Sequence, residues 1–403
     1  MRITAAILVA IALLMPAPSS AADAAFQQWL QSVWPQAEAL GVSRATFDEA
    51  IRGLEPDYSL PDLAIPGRPE KPPPGQPEFV QTPSQYLREA TFDRLAARGR
   101  QLATQYRDTL SRIEREIGVP GNVVLAIWAR ETDYGGYSLP HDAIRVLATQ
   151  GFAGKRKDFF RNEFLHALRM LQDGTPRADL RSSWGGAMGL TQFLPSEYYK
   201  YAVDFDGDGR ADIWRSVPDA LASAAKQLAG KGWQRGERWG YEVRAPQTAD
   251  CSIGVPEVTM PIGEWMKRGF APLGRKLSAA ELALSASLLQ PEGSYGPAFL
   301  APKNYFVLKD YNYSDLYVLF VGHLSDRIGG AASFVTPWSK NAQLKTADVE
   351  LMQHRLTALG LYKDKIDGKA GMLTRAALGA YQKKNGLTVD CWPTAEVLAH
   401  MRR

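Results

Sequence analysis

The chain has little excess of positive over negative charge, and no long basic run occurs. Its 47 lysine and arginine residues nearly balance 43 aspartate and glutamate residues, which leaves a formal net charge of +4 at pH 7. Nucleic-acid binding is therefore not indicated, because the phosphate backbone attracts clustered positive charge. Hydrophobic residues make up 45% of the 403 residues, an ordinary share for a globular protein. The length predicts more than one domain.

Long apolar runs are also missing beyond the first residues. Ala5 to Met15 is apolar, follows Arg2 and precedes the small residues Ser20-Ala21-Ala22, a pattern that predicts a secretory signal peptide over residues 1–22. The run is too short to span a bilayer as a permanent helix. No cysteine follows the cleavage site, so a bacterial lipid anchor is excluded there. We expect an exported, soluble protein of the periplasm, without a transmembrane segment in the mature chain.

Cysteine is limited to Cys251 and Cys391. In an exported protein such a pair is compatible with a disulfide and equally with two separate buried thiols, and the Cα geometry decides between them. Our hypothesis is the disulfide, which would hold the C-terminal residues against the region around Cys251.

A predicted helix carries the first candidate for chemistry. Apolar residues from Val123 to Trp128 have helical spacing, Glu131 falls on the same face, and glycines from Gly135 are expected to end the helix. An apolar environment and the negative end of the helix dipole both disfavour a charged carboxylate, so we expect a raised pKa for Glu131. A carboxylic acid protonated near neutral pH can act as a general acid. The alternative is a glutamate that pairs with Arg130 or another arginine, or that faces water.

Two further clusters suit a ligand groove. The run from Ser183 to Phe193 is rich in small residues, which permit close approach of the backbone to a ligand; packing alone is the alternative. The second cluster is aromatic and amide-rich, with Asn304-Tyr305 and Tyr311 to Ser314 ahead of a predicted helix from Asp315 to Leu324. Rings of this kind often stack on sugars, although core packing is their commoner use.

An acidic loop over residues 204–219 predicts a calcium site. Aspartates alternate with other residues from Asp204 to Asp212, and Gly209 stands where a calcium loop turns sharply. Arg215 occupies the twelfth position, where a bidentate glutamate is usual, and Asp219 could reach back in its place. A solvated acidic turn is the alternative. We expect a structural Ca²⁺ ion and no organic cofactor. The predicted ligands are Asp204, Asp206, Asp208, Arg210 and Asp219.

The remaining sequence predicts how the chain is divided. Prolines concentrate over residues 60–77, which predicts an extended strap. Short strands are expected near Tyr241–Val243 and Phe306–Lys309. The expected segments are a signal peptide over 1–22, a catalytic region over 23–335, a linker over 336–345 and a separate small domain over 346–403.

Four motifs follow one another in a fixed order: Trp128 to Gly135, Ser183 to Phe193, Ser196 to Gly209, and Tyr311 to Ser314. Together they resemble the family B lytic transglycosylases, over about residues 26–328. The resemblance implies a mainly α-helical fold with a lysozyme-like catalytic core and an extra helical region. It also implies that the chain cleaves peptidoglycan and that Glu131 is the catalytic acid and base.

The resemblance extends to the glycan groove and the acidic loop. The positions that match groove residues are Ser183, Gln192, Tyr311, Asn312 and Tyr317. From the same clusters we add Met188, Asn304 and Tyr305 as candidate substrate-binding residues. The acidic loop matches a calcium-binding EF-hand-like loop. The sequence departs from the family at Lys226-Gln227, where some members have a groove tyrosine, and residues 251–293 fit loosely.

The tail, residues 346–403, resembles the peptidoglycan-binding domain type 1, a three-helix module. The matching residues include Val349, Met352, Gln353, Leu356, Tyr362, Asp367, Gly368, Thr374, Tyr381, Gln382 and Asp390. The sequence departs from the module at Cys391-Trp392-Pro393, where a glycine-containing turn is usual.

A single carboxylate sets the expected mechanism. Ordinary glycosidases use two carboxylates, but Asp133 is two residues from Glu131 and should point elsewhere on a helix. The C6 hydroxyl of muramic acid can attack its own anomeric carbon, a step favoured by effective molarity. We expect non-hydrolytic cleavage of the β-1,4 bond between N-acetylmuramic acid and N-acetylglucosamine, with 1,6-anhydromuramyl products. The alternatives are a hydrolytic muramidase and a non-catalytic peptidoglycan-binding protein.

Peptidoglycan strands are the expected partner, and the chain is expected to be a monomer.

Overall fold

The structure is a computed structural model of the chain, and it describes residues 21–65, 81–339 and 344–403. The first 20 residues of the predicted signal peptide, most of the proline-rich strap and part of the predicted linker lie outside these ranges. Helices dominate the described residues, which confirms the prediction of a mainly α-helical chain. Within the same ranges, no helix combines the length and the apolar character that crossing a membrane requires.

The helices range from a single turn to more than four turns. The α-helices are α1 Ala21–Ser32, α2 Trp34–Ala39, α3 Arg44–Ile51, α4 Pro83–Tyr86, α5 Glu89–Gln105, α6 Arg107–Glu116, α7 Gly121–Thr132, α8 Ala143–Ala153, α9 Lys157–Gln172, α10 Pro195–Tyr201, α11 Val217–Gly230, α12 Ile262–Lys267, α13 Ala279–Ala283, α14 Lys303–Asn312, α15 Asp315–Ile328, α16 Thr346–Ala358, α17 Met372–Lys384 and α18 Ala395–Met401. Short 3-10 helices span Arg177–Asp179 and Cys251–Ile253.

The strands are short. They are β1 His141–Asp142, β2 Arg181–Ser182, β3 Tyr241–Arg244, β4 Met260–Pro261, β5 Ala271–Pro272, β6 Ser285–Leu289, β7 Pro291–Ser294 and β8 Ala298–Ala301. Five of them form an antiparallel sheet in the order β4-β6-β8-β3-β5, with Tyr241 opposite Leu300 and Leu288 opposite Leu300 on its other side. One face of this sheet packs on the buried Trp265 of α12.

One strand prediction is confirmed and the other is wrong. Tyr241–Val243 lies within β3, but Phe306–Lys309 lies inside helix α14. In α14 the residues Asn304, Tyr305, Val307 and Leu308 are buried together, a helical spacing. Packing of that face against the core therefore outweighs the β-strand preference of the local run.

The described residues divide into two compact units. The smaller unit contains residues 21–65, 141–180 and 184–186, with helices α1–α3, α8 and α9. Its core has interlocking aromatic rings, because the Phe26 and Phe152 centroids are 5.4 Å apart and those of Trp29 and Phe164 are 5.9 Å apart. Edge and tilted ring pairs of this kind stabilise a core beyond the area that they bury.

The larger unit contains residues 81–140, 181–183, 187–339 and 344–403. Helix α7 is its centre, since Val123 to Ala129 are all buried, and α5, α11 and α15 pack around it. The helix ends earlier than its glycines suggested. Asp133 and Tyr134 adopt left-handed backbone conformations, with φ of 51° and 58°, before Gly135 is reached.

The tail has its own core and is also attached to the rest of the larger unit. Helices α16, α17 and α18 surround Met352, Leu356, Leu378 and Leu398. Cys391 forms a disulfide with Cys251, with the two Cα atoms 6.0 Å apart. The separation falls in the range that a disulfide requires.

The start of the predicted linker is bound to the body of the unit. The backbone N–H of Thr336 donates to Glu242 Oε1 at 2.7 Å, and that of Ser339 donates to Glu292 Oε2 at 2.7 Å. Between them, the Trp338 ring stacks on Phe299. Residues 336–339 are therefore an ordered connection.

Candidate active site

Glu131 and Tyr317 meet at the centre of the larger unit. Glu131 lies in the last turn of α7 and is half-buried, so a ligand can reach it. The Tyr317 hydroxyl, on α15, donates a hydrogen bond to Glu131 Oε1 at 2.5 Å. Tyr317 is 1% exposed. The hydrogen bond fixes the direction of the carboxylate, while the remaining exposure leaves room for a substrate.

A second tyrosine, Tyr311, holds Tyr317 in position. The rings of Tyr311 and Tyr317 stack with centroids 6.2 Å apart and planes at 9°, and the Tyr311 hydroxyl donates to the backbone oxygen of Thr191 at 2.6 Å. Burial raises the pKa of both phenols well above its usual value, and the charge of Glu131 raises it further. Both hydroxyls therefore stay protonated, and Tyr317 remains a hydrogen-bond donor to Glu131.

The glycine-rich run is joined to the end of α7. The Thr132 hydroxyl donates to Leu190 O at 2.7 Å and accepts from the Gly135 N–H at 3.2 Å. A Cβ at Gly189, whose φ is +73°, would lie 2.8 Å from Ile213 O. Gly189 is therefore required for the close approach of this loop to its neighbour.

A tight turn follows Gly189 in the same run. Met188 and Phe193 exchange backbone hydrogen bonds of 2.7 and 2.8 Å, and Gln192 has a φ of 57° between them. The Gln192 side chain folds back, with Nε2 donating to Gly189 O at 3.1 Å. A non-glycine residue in this conformation is uncommon and stores strain at this position.

The structure brings some predicted site residues together and places others elsewhere. Glu131, Tyr311 and Tyr317 are in one network, and the glycine-rich run reaches it through Thr191. Gln192 and Asn312 are half-buried and directly follow Thr191 and Tyr311 in the chain, and Ser183 is half-buried at the start of the glycine-rich run. Met188 is fully buried, so its side chain belongs to the core of the loop.

Asn304 and Tyr305 are not placed to contact a substrate. Both are fully buried. The Asn304 amide binds the backbone of Gln234 and Glu237, and the Tyr305 hydroxyl donates to Asp315 Oδ1 at 2.7 Å. These two side chains point into the protein, on the buried face of α14.

Two contacts at the end of α7 were not predicted from the sequence. One is the Thr132 link described above. The other is Asp133, whose carboxylate is held by Arg94 Nη1 at 2.9 Å. The position of Thr132 directly after Glu131 was the available signal, but its partner, 58 residues further along the chain, could not be inferred from spacing.

The acidic loop converges on Asp219. One Asp219 oxygen accepts from the N–H groups of Phe205 and Asp206, and the other accepts from Asp212 N. Carboxylate oxygens of Asp204, Asp206 and Asp219 lie within 4.8 Å of one another. Three carboxylates this close repel one another, a cation would reduce that repulsion, and hard oxygen donors suit Ca²⁺. This donor set fits a calcium ion, and Asp219 reaches back to the loop.

Two other predicted ligands, Asp208 and Arg210, bind each other in the loop. Asp208 Oδ1 accepts from the Arg210 N–H at 2.9 Å, which closes a short turn. In the described residues, the group of carboxylates close enough to share an ion does not include Asp208.

Comparisons with known proteins agree with this arrangement. The transglycosylase SLT domain family matches residues 25–326, and the peptidoglycan binding domain family matches residues 345–401. Membrane-bound lytic murein transglycosylase B of Escherichia coli (strain K12) is 30% identical over 229 residues, which are 56% of this chain and 61% of that relative's length. The chain thus spans less than two thirds of that relative.

Solved structures give the same fold. SltB3 from Pseudomonas aeruginosa, crystallised in complex with NAG-anhNAM-pentapeptide, is 36% identical with a TM-score of 0.83, over 94% of this chain and 99% of that chain. The Escherichia coli lytic transglycosylase Slt35 in complex with calcium is 24% identical with a TM-score of 0.58, over 76% of this chain and 93% of that chain, and shares the fold. The family match over residues 25–326 confirms the resemblance seen in the motifs, and the chain belongs to the transglycosylase SLT domain family.

Proposed function

We propose that this chain is a peptidoglycan lytic transglycosylase. It cleaves the β-1,4 bond between N-acetylmuramic acid and N-acetylglucosamine and leaves a 1,6-anhydromuramyl end. The observation that carries the proposal is the half-buried Glu131 carboxyl, oriented by the Tyr317 hydroxyl at 2.5 Å. The name of the Escherichia coli relative and the anhydro-sugar ligand of SltB3 support the same reaction.

Glu131 acts twice in this reaction. It first gives its proton to the glycosidic oxygen, so that the N-acetylglucosamine side leaves as an alcohol while the bond to the muramic acid C1 breaks. The resulting carboxylate then takes the proton of the C6 hydroxyl as O6 bonds to C1, which restores the acid. No water is consumed. Asp133 is held by Arg94, which supports a mechanism with a single carboxylate.

The surrounding residues hold the carboxyl and the sugar. Tyr317 keeps Glu131 pointed at the bond, and Tyr311 keeps Tyr317 in place through ring stacking. Ser183, Gln192 and Asn312 are the polar groups proposed to line the glycan groove, with Ser183 or Asn312 orienting the N-acetyl group. Their partial exposure supports this role, as does the position of Gln192 beside Thr191 and of Asn312 beside Tyr311.

Product mass tests the reaction. Purified wild-type chain is incubated with sacculi, and the soluble products are analysed by mass spectrometry. We expect muropeptides that are lighter by one water than their hydrolysed counterparts. Reducing-end products that carry this water would instead establish a muramidase. Binding to sacculi without soluble products would establish a non-catalytic wall-binding protein.

The acidic loop is proposed to hold a structural Ca²⁺ ion. Asp204, Asp206 and Asp219 supply the carboxylate oxygens, and the calcium complex of the relative Slt35 supports the choice of metal. The ion would neutralise the loop that precedes α11. The chemistry at Glu131 does not use it.

The chain is proposed to act in the periplasm on peptidoglycan strands. Residues 1–22 are the proposed signal peptide, 23–335 the catalytic region, 336–345 the connection and 346–403 the peptidoglycan-binding module. The disulfide suits an oxidising compartment. Peptidoglycan as the partner is supported by the family match of residues 345–401.

A further inference from the structure

A buried carboxylate joins the tail to the bend between α14 and α15. Asp315 is the first residue of α15, and its side chain is 8% exposed. It accepts from Lys309 Nζ at 2.6 Å and from the Tyr305 hydroxyl at 2.7 Å, both on α14. Its other oxygen accepts from Arg375 Nη2 at 2.8 Å, on α17 of the tail.

The arginine is as deeply buried as its partner. The Arg375 side chain is 8% exposed, and its Nη1 donates to Ala370 O at 2.6 Å. Burial alone would raise the pKa of Asp315, but the charges of Lys309 and Arg375 hold it well below its usual range. The carboxylate is therefore ionised near neutral pH, and Lys309 and Arg375 share its one buried negative charge.

This cluster lies at the bend that carries both active-site tyrosines. Tyr311 is in the last turn of α14, Tyr317 is in the first turn of α15, and Asp315 stands between them. The bend is unusual, because Tyr313 has a φ of 23°. Ser314 caps α15 by accepting from Tyr317 N. A bend of this kind persists only where its surroundings fix it.

Lys309 and Tyr305 both lie on α14, so they hold Asp315 from one side of the bend only. Arg375 is the partner that comes from outside the two helices. Removing Arg375 would leave the buried Asp315 carboxylate with one cation, Lys309, and with no partner from the tail. The Tyr317 hydroxyl would then lose the precise placement that a 2.5 Å hydrogen bond to Glu131 requires.

We propose that Arg375 is a positioning residue for catalysis: through Asp315, the tail holds the α14–α15 bend that places Tyr311 and Tyr317 at Glu131. This inference rests on the proposed function. It gives the tail a part in the chemical step, in addition to the wall binding expected of its family. It differs from the expectation of a separate domain, because a residue of the tail completes the catalytic region.

The test compares Arg375→Met with Lys383→Met in the full chain. Both substitutions remove a cation of α17 that pairs with the body of the larger unit, but Lys383 pairs with Asp250, beside the disulfide. The substrate is a short soluble glycan of muropeptide repeats, so that wall attachment does not contribute. We expect Arg375→Met to lower kcat about tenfold or more with KM little changed, and Lys383→Met to leave kcat unchanged. Equal kcat values for the two variants would overturn the proposal.

A double-mutant cycle separates positioning from general loss of stability. If Arg375 acts through Tyr317, Arg375→Met should change the kcat of the Tyr317→Phe chain by less than about twofold. The same fold-loss in both backgrounds would show that Arg375 has only a structural role. Arg375→Lys keeps the charge and should recover part of the lost kcat, which keeps the test available if Arg375→Met folds poorly.

Hydrogen–deuterium exchange gives a readout without turnover. Peptides that cover residues 311–320 should exchange faster in Arg375→Met than in wild type or Lys383→Met. Unchanged exchange there would overturn the proposal even if the chain proved inactive. If the wild-type chain yields no anhydro product, the proposed function fails, and the exchange data still decide whether Arg375 holds the bend.

Discussion

Glu131 depends on a partner that lies 186 residues further along the chain. Its helix leaves it half-buried at the edge of the core, and the Tyr317 hydroxyl then defines which way the carboxyl points. The left-handed conformations of Asp133 and Tyr134 immediately follow it, and the Tyr134 hydroxyl is anchored on Leu95 O at 3.0 Å. The end of α7 is thus fixed on both sides, which reduces the reorganisation needed when a ligand binds.

Glu131→Gln tests the acid–base assignment. The amide keeps the shape of the side chain and can still meet the Tyr317 hydroxyl, but it has no transferable proton. We expect a folded variant that binds sacculi like wild type and yields no anhydro products. The measurement is product release by mass spectrometry, with a pull-down on sacculi as the binding control. Anhydro products formed at the wild-type rate would contradict the assignment.

Because of the buried His323, we expect the folded chain to lose stability in mild acid. It is 3% exposed on α15, stacked on Phe334, and burial lowers its pKa from 6.5 to about 4, with Glu89 opposing and Arg327 adding to the shift. Because the unfolded chain binds the proton below about pH 6.5 and the folded chain does not, stability falls between pH 6.5 and 4. The full loss is roughly 3 kcal/mol.

Urea unfolding at pH 7 and pH 4.5 measures this effect. His323→Phe should unfold with a smaller difference between the two pH values than wild type, because it removes the group that titrates. His354→Gln, at an exposed position of the tail, is the matched control and should behave like wild type. An equal pH difference in His323→Phe and wild type would show that His323 does not cause the loss.

At the scale of elements, sequence periodicity located helices well and their ends less well. α7 was predicted from its apolar spacing, but its end at Thr132 depends on contacts with Arg94 and Leu190, which no local pattern shows. The Phe306–Lys309 strand was wrong for a similar reason. Its residues favour a strand locally, and the buried face of α14 makes them helical. The motifs named Glu131 and Tyr311, the family resemblance added Tyr317, and only burial separates Asn304 and Tyr305 from them.

The acidic loop gives a prediction about metal and stability. Calcium that binds only the folded chain stabilises it by about 2.7 kcal/mol at one hundred times its dissociation constant. We therefore expect Tm to rise with added Ca²⁺ and to fall with a chelator. Asp206→Asn should abolish most of this response, because Asp206 is one of three converging carboxylates. Asp158→Asn, at an exposed position of α9, is the control. A wild-type Tm that neither calcium nor chelator changes would contradict the site.

At the scale of the whole chain, the tail is attached by several independent contacts. The disulfide lies where α17 meets the 3-10 helix of Cys251, and a Cβ at Gly379 would clash with the Cys391 sulfur. Lys383 pairs with Asp250 beside it, and Asp390 accepts from the Tyr295 hydroxyl at 2.6 Å. The sequence predicted the tail and named the two cysteines, Cys391 within the tail and Cys251 outside it. It could not show this docking, because the contacts join residues far apart in the chain.

The disulfide itself can be tested in protein purified from the periplasm. We expect no titratable thiol under denaturing, non-reducing conditions, since Cys251 and Cys391 are paired. A cross-link across 140 residues stabilises the fold by about 5 kcal/mol in the chain-entropy model, an upper value because the remaining contacts of the tail also restrain it. Reductant should therefore lower the wild-type Tm. The Cys251→Ser/Cys391→Ser variant should start from that lower Tm and not respond to reductant. Two free thiols per chain, or a Tm that reductant leaves unchanged, would mean that the docked tail is held by its noncovalent contacts alone.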